Sequence, residues 1–408
     1  DVTEGCNELT VVFNNQSSPS ATSFLWEFGD GTSSHEQHPV HTFENTGLND
    51  TTYTVKLIAT TNESCGDTSE VDITVYSFIR SDFTFDQETV CSPFEITLNN
   101  TSIGGSTFEW NFGDGNDSTL HEKSPVRHVF SNPSATTPAV YDITLTVYNS
   151  QGCSSVFSRP ITVMPSVDAN FSVDIDQGCH PLSVNFTNNS SGAVSYVWDF
   201  DNGESSNGLN ASMDFENYGM NDTVFNVRLM ATNSYTCQDS FYVPITVHPY
   251  VDADFAIEYE RQCTPADVNF INSSVNGDQY DWTFNGTPYS TNSSDPISRQ
   301  FSNSSTTNTA YYQVDLIVTS PQGCTSQTSK QVSVYHDVIA DFSSITEGCS
   351  PLEVVFTNNS LGASNYKWEF GDNTSSILEN PIHVYPNYSN EDTVINVKLT
   401  SISENFCA

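Results

Sequence analysis

Five tryptophans, Trp26, Trp110, Trp198, Trp282 and Trp368, recur at spacings of 84, 88, 84 and 86 residues. The ten cysteines keep the same period in two series. Cys6, Cys91, Cys179, Cys263 and Cys349 form one; Cys65, Cys153, Cys237, Cys324 and Cys407 form the other. A length of 408 residues would ordinarily suggest two to four domains, but repetition at a fixed period overrides that expectation. The chain reads as five copies of one unit of about 85 residues, with boundaries at 1–76, 77–164, 165–248, 249–335 and 336–408.

Each copy has the pattern of β-structure. An early segment alternates apolar and polar residues, as in Leu9, Val11, Phe13 and in Leu182, Val184, Phe186. That period of two marks a half-buried strand. An Asn/Ser/Thr cluster ends it, which is turn chemistry. An aromatic strand follows with the same period: Phe24-Trp26-Phe28, Phe108-Trp110-Phe112, Tyr196-Trp198-Phe200, Tyr280-Trp282-Phe284 and Tyr366-Trp368-Phe370. The tryptophans are thereby expected to be core residues. A Gly/Asp turn comes next, then strands such as Tyr53-Val55-Leu57 and Val71-Ile73-Val75. No segment sustains a 3.6-residue period. Short strands separated by frequent turns predict an all-β antiparallel sandwich in every unit.

The strand-turn segments are WEFGDG at 26–31, WNFGDG at 110–115, WDFDNG at 198–203, WTFNGT at 282–287 and WEFGDN at 368–373. With the P-V-H-x-F element and the Y-x-V-x-L strand downstream, the chain resembles tandem PKD (polycystic kidney disease) domains. The resemblance implies five Ig-like sandwiches in a row. An acidic, Asn/Ser/Thr-rich array of such cysteine-bearing units also resembles the very large surface adhesins of Bacteroidota, including those of gliding bacteria.

The repeat suggests one cysteine pairing inside each unit: Cys6–Cys65, Cys91–Cys153, Cys179–Cys237, Cys263–Cys324 and Cys349–Cys407. Each would close a loop of about 60 residues and stabilise its unit by about 4 kcal/mol. The alternatives are reduced thiols or metal ligands, but no C-x-x-C spacing occurs. Disulfides imply an oxidising, extracellular setting. The junctions read VYSFIRSDF, VMPSVDANF, VHPYVDADF and VYHDVIADF, with Pro165 and Pro249 in two of them. None resembles a flexible Gly/Ser linker. Each carries one aliphatic residue (Ile79, Val167, Val251, Val338) expected to pack between neighbouring units and limit bending, so that the array forms an elongated, semi-rigid rod. The first copy has five residues before Cys6, and the last has only Ala408 after Cys407. On this reading the first unit lacks its N-terminal strand and the last its C-terminal one. The chain is expected to be a window on a longer array. Completion of the end units by a neighbour's strand is the alternative.

Charge narrows the partners. Eleven Lys+Arg against 50 Asp+Glu give a net charge of -39. Nucleic acid needs cationic side chains to release its counterions, and anionic membrane surfaces repel such a chain. No run approaches 18 apolar residues, so no membrane insertion is expected. Asp30, Asp114, Asp201 and Asp372, in the Gly/Asp turns, are weak calcium candidates; the competing role is capping their own turn amides. Weakly bound calcium on so acidic a surface is the one cofactor expectation, and none is required. His35, His38 and His41 form H-x-x-H-x-x-H, which invites zinc. However, residues three apart on a strand face opposite ways. His41, His128, His383 and Arg299 also share one repeat position, which identifies a structural slot. Asp followed by Thr or Ser marks possible O-glycosylation at Thr51, Ser118, Thr223 and Thr393, by the resemblance to Bacteroidota proteins. No nucleophile elbow, H-E-x-x-H or Walker loop is present, and the unit repeats five times where an active site needs asymmetry. The sequence therefore predicts a non-enzymatic stalk segment of a large secreted adhesin. Its partners would be neighbouring repeats and, through a distal region, surface polysaccharide or other cells. A spacer or carbohydrate-binding accessory of a secreted hydrolase and a subunit of an extracellular filament or surface layer are the alternatives.

Overall fold

The computed structural model describes residues 2–408, and every regular element among them is a β-strand. The second unit shows the architecture in full. A three-stranded sheet runs in the order Val126–Phe130, Phe94–Asn100, Phe83–Thr84. A five-stranded sheet runs in the order Asp117–Leu120, Thr107–Asn111, Ala139–Tyr148, Ser154–Met164, Thr89–Cys91. All pairings are antiparallel except the last, where Cys91 lies beside Met164 in a short parallel ladder. The third and fourth units repeat this strand order, and among the described residues no sheet joins strands of two units. In the first unit the smaller sheet has two strands, Leu9–Val12 and Val40–Phe43. In the fifth, Lys398–Ile402 is an edge strand, paired only with Asn365–Glu369.

The alternation read from the sequence places one face of each sheet inward. Trp26, Trp110, Trp198, Trp282 and Trp368 are at most 5% exposed. Around Trp198 pack Phe171 and Phe186 at ring-centroid distances of 5.0 and 5.6 Å, with Leu229, Ile245 and Val247 in the same cluster. Three indoles also find a carbonyl across the turn that follows: Trp26 Nε1 donates to Glu36 O, Trp198 Nε1 to Gly208 O and Trp368 Nε1 to Leu378 O, at 2.9–3.1 Å.

The turn after the tryptophan strand needs a positive φ three residues past the indole. Gly29, Gly113 and Gly371 supply it at 79°, 79° and 81°. Asp201 and Asn285 stand in the same position at 61° and 47°, as short polar side chains can. Asp201 is thus the counterpart of Gly29 and not of Asp30; the residue equivalent to Asp30 is Asn202. In the fourth unit Phe284 pairs with Thr287 across Asn285-Gly286, and both turn residues have positive φ, as in a type I′ hairpin.

Candidate functional site: the staples at the junctions

The cysteine pairing is the main correction to the sequence reading. The disulfides are Cys6–Cys153, Cys91–Cys237, Cys179–Cys324 and Cys263–Cys407, with Cα–Cα distances of 5.6–5.7 Å. Each joins the first cysteine of one unit to the second cysteine of the next. The expected within-unit bridges are absent from the described residues, and Cys65 and Cys349 are exposed and unbonded.

Strand geometry gives the reason. Cys91 pairs with Met164, at the end of the last strand of its unit. Cys153 immediately precedes Ser154, the start of that strand. At about 3.3 Å per residue the two ends lie about 33 Å apart, far beyond the 7 Å over which a disulfide closes. The same holds for Cys179 beside His248 and Cys237 before Gln238, and for Cys263 beside Tyr335 and Cys324 before Thr325. Every unit therefore carries one cysteine at its exit end and one at its entry end.

Both ends are held by residues that the sequence reading passed over. At the exit, Asn45, Asn132, Asn217 and Asn303 are 3–6% exposed. Their amide Nδ2 groups donate to the carbonyls of Val75, Val163, Val247 and Val334 at 2.7–2.9 Å. A second donation reaches Asn49, Thr137, Asn221 and Asn308 O at 2.8–2.9 Å. The backbone amides of Asn132, Asn217 and Asn303 donate in turn to Ser92 Oγ, His180 Nδ1 and Thr264 Oγ1, each one residue past a bridging cysteine. A buried amide so bonded fixes the backbone on both sides of it. The signal was legible: Phe-x-Asn recurs at 43–45, 130–132, 215–217 and 301–303, and Tyr-x-Asn at 385–387. At the entry, Cys153 N and Cys237 N donate to Asn149 and Asn233 Oδ1 at 2.8 and 3.0 Å. Cys324 N and Cys407 N use Ser320 and Ser403 Oγ at 3.1 Å.

Polar contacts accompany the covalent ones. Gln151 Nε2 donates to Asp50 Oδ2 at 2.8 Å, the Tyr235 hydroxyl to Thr136 O at 3.2 Å, and Asn276 Nδ2 to Gly219 O at 3.1 Å. The junction aliphatics are half-buried. Val251 packs against the core of the unit it leads into, and Ile79 lies against Gly104 of the following unit. The disulfide and the polar contacts cross the junction.

The other sequence candidates lie apart from the staples. The Asp30, Asp114 and Asp372 carboxylates bond the imidazole Nε2 of His41, His128 and His383 at 2.6–2.7 Å. Each imidazole stacks on a phenylalanine, Phe28, Phe112 or Phe370, with centroids 4.0–4.2 Å apart. The same aspartates accept the turn amides of Thr32, Asn116 and Thr374. Asp201 instead accepts from Asn226 N. His35 bonds Phe24 O and His38 accepts from Asn15 N, so the three histidines of the first unit have three separate partners. No group of three or more His, Cys, Asp or Glu among the described residues could hold a metal ion. Thr51 and Thr223 begin long strands and are half-buried, Ser118 lies in the strand Asp117–Leu120, and Thr393 is exposed outside any strand. The neighbouring Asp50 accepts Ser77 N, and Asp222 bonds His248 Nδ1, so both brace a junction.

Burial pushes the Asp30 and Asp114 carboxyls up, but hydrogen bonds from Thr32 and His41, and from His128 and Asn116, more than offset it, and both lie below the usual range. The Thr374 hydroxyl and then His383 hold Asp372 down at about 2. A carboxyl whose folded value lies below its unfolded value of about 3.9 contributes stability that is complete above that value. This contribution fades as pH falls from about 4 through about 2. We expect the unfolding temperature of the fifth unit to fall across that window and Asp372→Asn to flatten the slope. An equal slope in the variant would contradict this assignment.

The PKD-domain family model matches residues 1–75 and 84–164, the first two units. The chain is also similar in part to three solved structures. The PKD1 domain of the Vibrio cholerae metalloprotease PrtV is 26% identical, over 20% of this chain and 98% of that one, with a TM-score of 0.18. A structure from a 1.5-MDa bacterial ice-binding adhesin is 13% identical, over 63% and 98%, with a TM-score of 0.21. The N-terminal eight Ig domains of Down Syndrome Cell Adhesion Molecule are 12% identical, over 91% of this chain and 52% of that one, with a TM-score of 0.34.

Proposed function

We propose that this chain is a non-enzymatic, load-bearing stalk segment of an extracellular adhesin, built to limit its lengthening under tension. The observation that carries this reading is the register of the staples. From Cys153 the main chain follows the last strand of the second unit, Ser154–Met164, crosses the junction and runs through the third unit to Cys179. That is about 26 residues, roughly 90 Å when fully extended. Two units, each about as long as its 11-residue last strand, already span roughly 70 Å. The covalent route is close to taut before any load is applied.

Two such routes interleave. One passes Cys6–Cys153 and then Cys179–Cys324; the other passes Cys91–Cys237 and then Cys263–Cys407. The bodies of the sandwiches hang beside these routes. Adhesion to surface polysaccharide or to other cells, as in the gliding adhesins of Bacteroidota that the sequence resembles, is the setting we infer. Cys65 occupies the entry position and Cys349 the exit position, so a further unit of the same kind on either face would meet half a staple already in place. Peptide mapping under non-reducing conditions tests the register. We expect four bridges between consecutive units, with Cys65 and Cys349 alone alkylating in the isolated chain. Recovery of a Cys91–Cys153 peptide would overturn the proposal.

A further inference from the structure

The fourth unit breaks the Asp–His pattern. In the first, second and fifth units a cationic or titratable ring sits on a phenylalanine and a carboxylate sits on the ring: Asp30 on His41, Asp114 on His128, Asp372 on His383. In the fourth unit Arg299 takes the histidine position, its guanidinium 5.0 Å from the Phe284 ring centre and 4.6 Å from that of Tyr289. Its turn, Asn285-Gly286, is one residue shorter than Gly29-Asp30-Gly31 of the first unit, so no residue stands in the place of Asp30. The cation is kept and its carboxylate seat is open.

This vacancy stands out in a chain of charge -39. Arg80, Arg127, Arg159 and Arg228 each have a carboxylate partner, and Arg261, which has none among the described residues, is exposed to solvent. Arg299 has none among the described residues; its one bond, from Nη1, goes to the adjacent Ser298 O at 3.0 Å. Its stem lies on the inward side of the strand Ile297–Phe301, between buried Ile297 and Phe301. A half-buried guanidinium with free donors is suited to bidentate capture of a carboxylate. The groove around it, about 450 Å³, is lined by Asn285, Pro288, Tyr289 and Gln300. Tyr289 is 40% exposed. The Asn285 amide and the Gln300 amide oxygen (its Nε2 donates to Asp267 Oδ1 at 3.0 Å) beside an exposed aromatic ring offer hydrogen bonds to hydroxyls and a flat surface for a pyranose ring, the mix of apolar and convergent polar groups expected of a small-ligand site.

We propose that the groove at Arg299 binds an acidic saccharide through its uronate carboxylate, which takes the seat that an aspartate fills in the sister units. This goes beyond the stalk reading and stands or falls separately from it. The test is titration of the full chain with galacturonic acid and its trimer, followed by NMR. Saturable shifts at the Arg299 side chain and the Tyr289 ring are expected. Arg299→Gln should weaken binding at least tenfold. Equal binding of neutral galactose, undiminished binding by folded Arg299→Gln, or binding of a glutamate-bearing tetrapeptide without binding of uronate would each overturn the proposal.

Discussion

Pulled by its two ends with the staples closed, the chain will stop extending at roughly 350 Å; with the staples reduced it will reach roughly 1,400 Å, at the 3.3–3.6 Å that each extended residue can span. The shortest covalent route from Asp1 to Ala408 crosses Cys6–Cys153, Cys179–Cys324 and Cys263–Cys407 and contains about 93 residues; a second, through Cys91–Cys237 in place of Cys179–Cys324, contains about 94. Single-molecule force spectroscopy with and without reductant measures both limits. Any extension of the oxidised chain near the reduced value would remove the stalk reading.

Total length alone does not separate these staples from bridges inside each unit, since those would leave a limit of similar size. Removing one pair does. Replacing Cys179 and Cys324 by serine leaves the route through Cys91–Cys237, which is longer by about one residue, so the limit should stay where it was. Were the bridges inside each unit, the same double replacement would open both Cys179–Cys237 and Cys263–Cys324 and release about 119 further residues, roughly 400 Å. The staples also act without load. A loop of about 145 residues, treated by chain entropy, stabilises the folded state by about 5 kcal/mol. The loops overlap, so these contributions are shared between units and do not add. The stabilisation therefore belongs to pairs of neighbours, which is the property a tension-bearing array needs.

Much of this was legible in the sequence. The spacing of the tryptophans defined the unit, the period-two segments became strands, and Asn285-Gly286 made the hairpin its composition suggests. The cysteine register was not legible, for a specific reason. Two series with one period are equally well paired within a unit or with an offset of one unit. What decides between them is which end of the last strand each cysteine occupies. That depends on Thr89–Cys91 and its counterparts, parallel strands of three residues with no alternation to betray them. The Phe-x-Asn repeat that locks the exit end was present in all but the aromatic of the fifth copy, and its role appears only once the buried amide meets the last strand. Asp201 lies in the turn expected of it but not in the place of Asp30, because distance from the tryptophan and not residue type sets the position.

Trp198→Ala should unfold the third unit selectively while its neighbours stay folded and tethered. The indole is fully buried, touches Phe171 and Phe186 and donates to Gly208 O at 3.0 Å. Replacing such a residue by alanine costs about 3–5 kcal/mol, a large part of what a unit of this size possesses. For 60–100 residues each kcal/mol moves the unfolding temperature by roughly 4–8 °C, so a shift of at least roughly 12 °C is expected for one unit. Calorimetry of the oxidised variant should show one early transition carrying about a fifth of the total enthalpy. The covalent routes past the unit are intact in the variant, so its extension limit under force should not change. An early transition that takes the second and fourth units with it would mean that the staples couple folding as well as load. Loss of the extension limit in the same variant would mean that the sandwich core, and not the staples, bears the tension.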